Sequence, residues 1–411
     1  MFSKVVFIGL VWPEPDTTAA GSRILQLIRF FLNRSEEIHF ASTAIESEFS
    51  YPLEELGVHT HSITLNDSSF DRWISDIAPE IVVFDRFVTE EQFSWRVREN
   101  CPSALRILDT EDLHFLRESR RLALLDKRSD DSERTYDDVT LREMASIFRS
   151  DLSLIISEVE MELLTRKFKV SGDLLFYIPF LLSAEDLQDS SSLPPYDNRV
   201  DFMTIGNWKH GPNKDAVHHL KGEIWPYIRK RLPGAQCHVY GAYGPGEKSE
   251  LHDKKNGFLI EGWKESKREA FSSHRVCLAP LRYGAGLKGK LFDALRYGTP
   301  SVTTSVGVEG ISDSVSWNGF VRDEPKMFAE AAVKLYSDKN VWIEAQSSGE
   351  QILTSRFSEN AFLPKLGKRI QALADDLKTH RLQNITGALL WHHNAQSTKY
   401  LSKWIEAKNK S

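Results

Sequence analysis

Short β-rich runs alternate with longer helical stretches along this chain, and the alternation runs through twice. The first series of strands falls at residues 5–10, 38–42, 58–65, 81–85, 105–109, 152–157 and 174–179, with helices at 21–31, at 89–99 and over a long stretch from 112. Several of these strands are continuous apolar runs, as expected where helices cover both faces of a parallel sheet. The pattern breaks at 183–198, where Ser190, Ser191, Ser192, Pro194 and Pro195 suit a polar hinge and no core. It restarts with strands at 200–206, 235–241, 257–263, 276–281 and 301–305 and helices at 213–232 and 290–297. The expectation is an α/β protein of two doubly wound, Rossmann-like domains. They are placed at 1–182 and 199–358, joined by the linker 183–198. In the helical segment 359–411, Leu363, Leu366, Ile370 and Leu373 mark one apolar face, expected to pack back across both domains.

Composition removes several function classes. With 41% apolar and 27% charged residues, the chain is neither collagenous, membrane-embedded nor strongly disordered. A net charge of −6 gives no general attraction for nucleic acid. Cys101, Cys237 and Cys277 are odd in number and far apart, which fits neither a disulfide framework nor a metal knuckle and points to a reducing compartment. The apolar run at 5–12 is too short to span a bilayer and reads as a buried strand. The expected location is the cytoplasm, free or peripheral to a membrane, with no transmembrane segment. The charge-dense run at 126–138 (Lys127, Arg128, Asp130, Asp131, Glu133 and Arg134 among others) reads as a solvated surface.

Open α/β sheets bind ligands beyond the carboxyl ends of their strands. One such loop stands out. After the strand ending Ala279-Pro280-Leu281, Gly284, Gly286 and Gly289 are interleaved with Ala285, Leu287, Lys288 and Lys290, and a helix follows that carries Asp293 and stops at Gly298-Thr299-Pro300. Glycines let backbone N–H groups approach a ligand, and a helix N-terminus offers unpaired donors and partial positive charge. The arrangement suits a diphosphate, with Lys288 and Lys290 adding charge and Asp293 placed to accept from ribose hydroxyls.

On these residues the sequence resembles the GT-B glycosyltransferases, specifically retaining family 4, the glycosyl transferases group 1 type. A second stretch, Gly206, Asn207, Trp208, Lys209, His210 and Gly211, is similar to that family's first strand and loop of the second domain, which closes over the donor phosphates. Gly241, ending the next strand, belongs to the same side. Two departures stand out. Many members carry two Glu seven residues apart, whereas here the first position is Ala285 and the second is Asp293. The usual Arg and Lys after Gly206 are also missing, with Lys209 and His210 the nearest substitutes.

By the same resemblance the two domains face each other across a cleft, and the first domain faces the reacting sugar and the acceptor. Gly21 and Arg23 after the first strand are candidates there, although Arg23 also reads as a plain surface residue and Thr17 or Thr18 as helix caps. Asp85 and Arg86 follow a buried strand, and Thr89 suits a cap. Asp109 stands where family members often have a histidine, with His114 nearby; a carboxylate there could bind a sugar hydroxyl or take a proton. Glu111 and Asp112 join the acceptor side, with helix-terminus charge as their alternative reading, while Glu158 and Glu160 end another strand. Asp109-Thr110-Glu111 also looks loosely like a metal-binding Asp-x-Asp motif, but it lies in the domain opposite the diphosphate loop, and the resemblance implies metal-independent chemistry with no cofactor required.

The resulting expectation is a retaining, metal-independent transfer from a nucleotide-diphosphate sugar to an unidentified glycan, lipid-linked sugar or protein. Asp109, His114, Lys288 and Lys290 are the candidate catalytic residues. A catalytically silent nucleotide-sugar-binding protein and an epimerase of the same fold are the competing readings.

Overall fold

The computed structural model describes residues 2–126, 137–188, 192–312 and 316–410. Most of the charged run at 126–138, and Ser190 and Ser191 of the expected hinge, lie outside the described residues.

The first sheet is built from β1 (Phe2–Gly9), β2 (Ser35–Ser42), β3 (His59–Ser62), β4 (Ile81–Asp85), β5 (Leu105–Asp109), β6 (Leu152–Ile155) and β7 (Leu175–Tyr177). The second contains β8 (Val200–Ile205), β9 (Cys237–Tyr240), β10 (Phe258–Gly262), β11 (His274–Ala279), β12 (Ser301–Thr303) and β13 (Gly319–Val321). The spatial orders are β3-β2-β1-β4-β5-β6-β7 and β10-β9-β8-β11-β12-β13, and every pairing is parallel. β4 and β5 are buried at every position, which is why they read as unbroken apolar runs. The three-residue β13 escapes a periodicity reading because so short a stretch shows no alternation.

Counted from its own first strand, the second sheet runs 3-2-1-4-5-6, and the first repeats that order with one strand added. In such sheets successive crossovers leave to opposite sides at the reversal, opening a crevice beyond the strand ends. The reversals fall between β1 and β4 and between β8 and β11. The loops after these four strands are therefore where a ligand can enter.

An apolar seam holds the two sheets in register with each other. Ile156, Phe180 and Leu182 from the first half pack with Leu287, Leu291, Phe292 and Phe357 from the second, and the rings of Phe180 and Phe292 lie 5.1 Å apart. The chain returns at Ser358, which bridges to Leu182. The helix Glu359–Asp375 then buries Leu366, Ile370 and Leu373 in the core of the first sheet, with Leu363 packed against it. Burying each such side chain contributes roughly 1.5–3 kcal/mol. One helix start differs from expectation. The helix after β4 spans Arg86–Asn100, and Thr89 lies inside its first turn, its hydroxyl donating to the Asp85 carbonyl at 2.9 Å in place of capping.

Candidate active site

A cavity of about 490 Å³ opens where the four reversal loops meet, a size suited to a small-molecule ligand. Its wall from the first half includes Glu14, Asp16, Gly21, Asp85, Arg86, Glu111, Asp112, His114 and Arg117; the opposite wall includes Gly206, Asn207, Lys209, His210, Gly241, Gly284, Leu287, Lys288, Gly289, Lys290 and Asp293. The two walls differ in charge. The second half contributes Lys209, Lys264, Lys267, Lys288 and Lys290 against one acid, Asp293, whereas the first contributes five carboxylates against Arg86 and Arg117. An anion is therefore favoured on one side and a hydroxyl-bearing group on the other.

The basic wall centres on the start of the helix Gly289–Arg296, with Lys288 as its N-cap residue. Lys288 Nζ donates to the Gly286 carbonyl at 2.9 Å and lies 3.6 Å from Glu309. Lys290 forms no ion pair among the described residues. Burial pushes both ammonium groups down to about 8, with Glu309 partly offsetting the effect at Lys288. Across the loop, Arg120 donates to the Gly284 carbonyl at 2.8 Å and forms a two-pronged pair with Glu309.

One expected amide donor is already engaged. Gly286 N–H donates at 2.8 Å to Oε1 of Glu160, which also accepts from Leu113 N–H at 3.0 Å. Gly286 does not line the cavity; it adopts φ +60°, and a Cβ there would press on Asp112. Glu160 thus ties the glycine loop to the first domain. Burial, with Asp112 adding to it, raises its pKa to about 7.

On the acidic wall, Arg86 directly after β4 and Glu111 two residues after β5 have φ of 71° and 63°. Left-handed backbone at non-glycine residues is costly and concentrates at functional sites. Burial, reinforced by Asp109 and Asp85, raises Glu111 well above the usual carboxylate range, and its Oε1 has no hydrogen-bond partner among the described residues. Asp85 is raised as well, chiefly by burial, and its Oδ1 is likewise without a partner. Burial opposes ionisation of Asp112, but Arg117, His114 and His210 outweigh it and hold the pKa down to about 2. His114 and His210 are pushed to about 4, first by burial, and are neutral at pH 7.

Arg23 and Asp109 sit beneath this wall, not on it. Arg23 Nε donates to both Asp109 oxygens at 2.9 and 3.1 Å and Nη1 to the Ile178 carbonyl at 2.7 Å, with both side chains buried. Thr18 does cap the helix Ala19–Leu32, accepting from Gly21 N–H, while Thr17 donates to Glu14 at 2.6 Å.

The mouth holds residues that the sequence reading passed over. Tyr243 Oη donates to Glu14 at 2.6 Å, Lys267 Nζ donates to the Pro15 carbonyl at 2.8 Å, and Phe49 packs against Tyr243 and Trp263. Tyr243, Trp263 and Lys267 follow β9 and β10, so the strand-end rule applied to every strand would have found them. Closer in, Gly289 meets Ala19 of the first domain, and a Cβ at 289 would collide with that of Ala19. Gly289→Ala is therefore expected to weaken nucleotide binding several-fold by holding the cleft ajar. Alanine is at least as good a helix former as glycine at this first helical position, so stability should not fall with it. Calorimetric titration alongside thermal melting checks this; unchanged affinity would show that the close approach is dispensable.

Residues 199–338 match the family model described as glycosyl transferases group 1. Among solved structures, sucrose-phosphate synthase from Thermosynechococcus elongatus aligns over 90% of this chain and 99% of its own at 14% identity, with a TM-score of 0.61. HepE of Anabaena in complex with UDP-glucose aligns over 91% of this chain and 100% of its own at 13% identity and a TM-score of 0.64. A glycosyltransferase from Rickettsia africae aligns over 90% and 98% at 12% identity and 0.62. At these identities the likeness is one of fold, two Rossmann-like domains in the GT-B arrangement. A search of curated proteins by sequence returns no match.

Proposed function

We propose that this chain, whose residues 199–338 match the glycosyl transferases group 1 model, transfers a sugar from a nucleotide-diphosphate donor to an acceptor bound against the first domain. The observation that carries this reading is the opposition of the two cavity walls, five lysines on one side and five carboxylates on the other. Cleaving a sugar–phosphate bond places negative charge on the departing diphosphate, and fixed positive groups lower the barrier most when they stand where that charge develops. Lys288 and Lys290, beside the first turn of the helix Gly289–Arg296, would supply that charge without a metal. Asp293 would accept from the ribose.

The sugar and acceptor would lie toward Asp85, Glu111 and Asp112. Glu111, whose pKa burial raises well above the usual carboxylate range, is the readier of the two to hold a proton and donate a hydrogen bond, whereas Asp112, held down by Arg117, accepts. In this reading Asp109 positions the wall through Arg23 and does not touch the sugar. Retention of the anomeric configuration follows the family resemblance. A cytoplasmic location is supported by three buried cysteines, none in a disulfide.

Thermal shift with a panel of nucleoside diphosphates, followed by assays with the matching sugar nucleotides, tests the reading. A ligand that binds only the folded state raises the melting temperature. We expect one base to be selected and its sugar nucleotide to be consumed in the presence of acceptor. Binding with no turnover on a broad acceptor panel would favour a silent binder, and conversion of the donor without acceptor would favour an epimerase.

A further inference from the structure

No described helix is long and apolar enough to cross a membrane. The last helix, Ile385–Lys410, nevertheless presents apolar side chains on two opposite faces. Its inner seam is Gly387, Trp391, Ala395 and Ser402, all buried against the first domain. Trp391 packs on Trp95 and donates its indole N–H to the Arg149 carbonyl at 3.2 Å. The outer face carries Ile385, Leu389, Tyr400 and Trp404, at 67%, 54%, 65% and 61% exposure, and Leu382 extends the stripe from the preceding helix. At 1.5 Å per residue, the stripe from Ile385 to Trp404 is about 28 Å long.

Charge decides what such a face could meet. Residues 377–411 contain six Lys or Arg and one Asp or Glu, a net +5 in a chain whose total is −6, so residues 1–376 carry −11. The single acid, Glu406, is turned inward, accepting from Ser68 N–H at 3.2 Å and lying 3.8 Å from Arg96. Lys403 and Lys408 are exposed beside the stripe, and the Lys408 ammonium lies 5.4 Å from the Trp404 ring. Trp and Tyr with flanking lysines suit the boundary between lipid headgroups and acyl chains. A second copy of the chain docked on the same face would bring these lysines toward one another, whereas an anionic surface would attract them and repel the rest of the molecule.

We propose that the outer face of the helix Ile385–Lys410 docks the protein on an anionic lipid surface, with Leu389, Tyr400 and Trp404 inserted among the headgroups and Lys403 and Lys408 beside lipid phosphates. The proposal does not depend on the reaction assigned to the cleft. The test is flotation of the full chain with vesicles of phosphatidylcholine alone and of phosphatidylcholine containing about one third phosphatidylglycerol. Binding is expected to the anionic vesicles only and to weaken with added salt. The triple variant Leu389→Ser, Tyr400→Ser, Trp404→Ser should lose about tenfold in vesicle affinity while its melting temperature and nucleotide binding stay unchanged, because these side chains are exposed. Lys403→Glu with Lys408→Glu should weaken binding further at low salt than at high salt. Absence of flotation at low salt, undiminished flotation of the triple variant, or a concentration-dependent dimer that the triple variant abolishes would each overturn it.

Discussion

Replacing Lys290 with methionine is expected to weaken nucleoside diphosphate binding by tenfold or more, about 1.4 kcal/mol or greater, while leaving the unliganded protein as stable as before or more so. The two effects share one cause. A half-buried ammonium without a counter-ion among the described residues costs desolvation energy that folding must overcome, and the anion that would compensate for it comes from the ligand. The pH dependence has a definite sign. With a folded pKa near 8 against an ordinary 10.5, Lys290 carries its full cost below pH 8, and the cost fades as pH rises toward 10.5. Lys288 follows the same course. These two residues therefore add stability to the unliganded protein as pH rises through that window, while nucleotide affinity falls. Lys290→Met should flatten both trends. Affinity that is equal in the variant and independent of pH would remove the phosphate site from this loop.

The glycine loop could be read from sequence because its meaning is local: a buried strand, a turn that needs close backbone approach, and a helix start follow one another within fifteen residues. The topology then places that loop at a chain reversal, where a ligand is expected. Gly286 shows the limit of this reasoning. Its amide looked available until Glu160, 126 positions earlier, was found accepting from it, a contact that only the packing of the two halves creates. Asp85, Arg86, Glu111 and Asp112 were visible as polar density after buried strands, but the left-handed backbone that turns Arg86 and Glu111 at the cavity has no signature in residue type. The opposed charge of the two walls was equally hidden. It emerges only when loops from six strand ends are brought together, and the net charge of the chain averages it away.

Arg23→Met is expected to destabilise the fold by about 3–5 kcal/mol. The guanidinium lies between the ends of β5 and β7, fully buried, donating to Asp109 and to the Ile178 carbonyl. Removing it strands the Asp109 carboxylate next to Asp85 and Glu111, three acids in one buried layer. Breaking one partner of such a pair costs far more than replacing both, because the remaining charge keeps its desolvation penalty. The double variant Arg23→Met, Asp109→Leu should therefore recover much of the loss, giving a coupling energy of about 1–3 kcal/mol in a double-mutant cycle. Chemical denaturation of the four proteins measures it. If Arg23 instead contacted the sugar, Arg23→Met would melt normally and lose turnover, and the second substitution would restore nothing. A positioning role predicts the converse, in which nucleotide affinity survives in whatever fraction remains folded because the lysine wall belongs to the other half of the molecule.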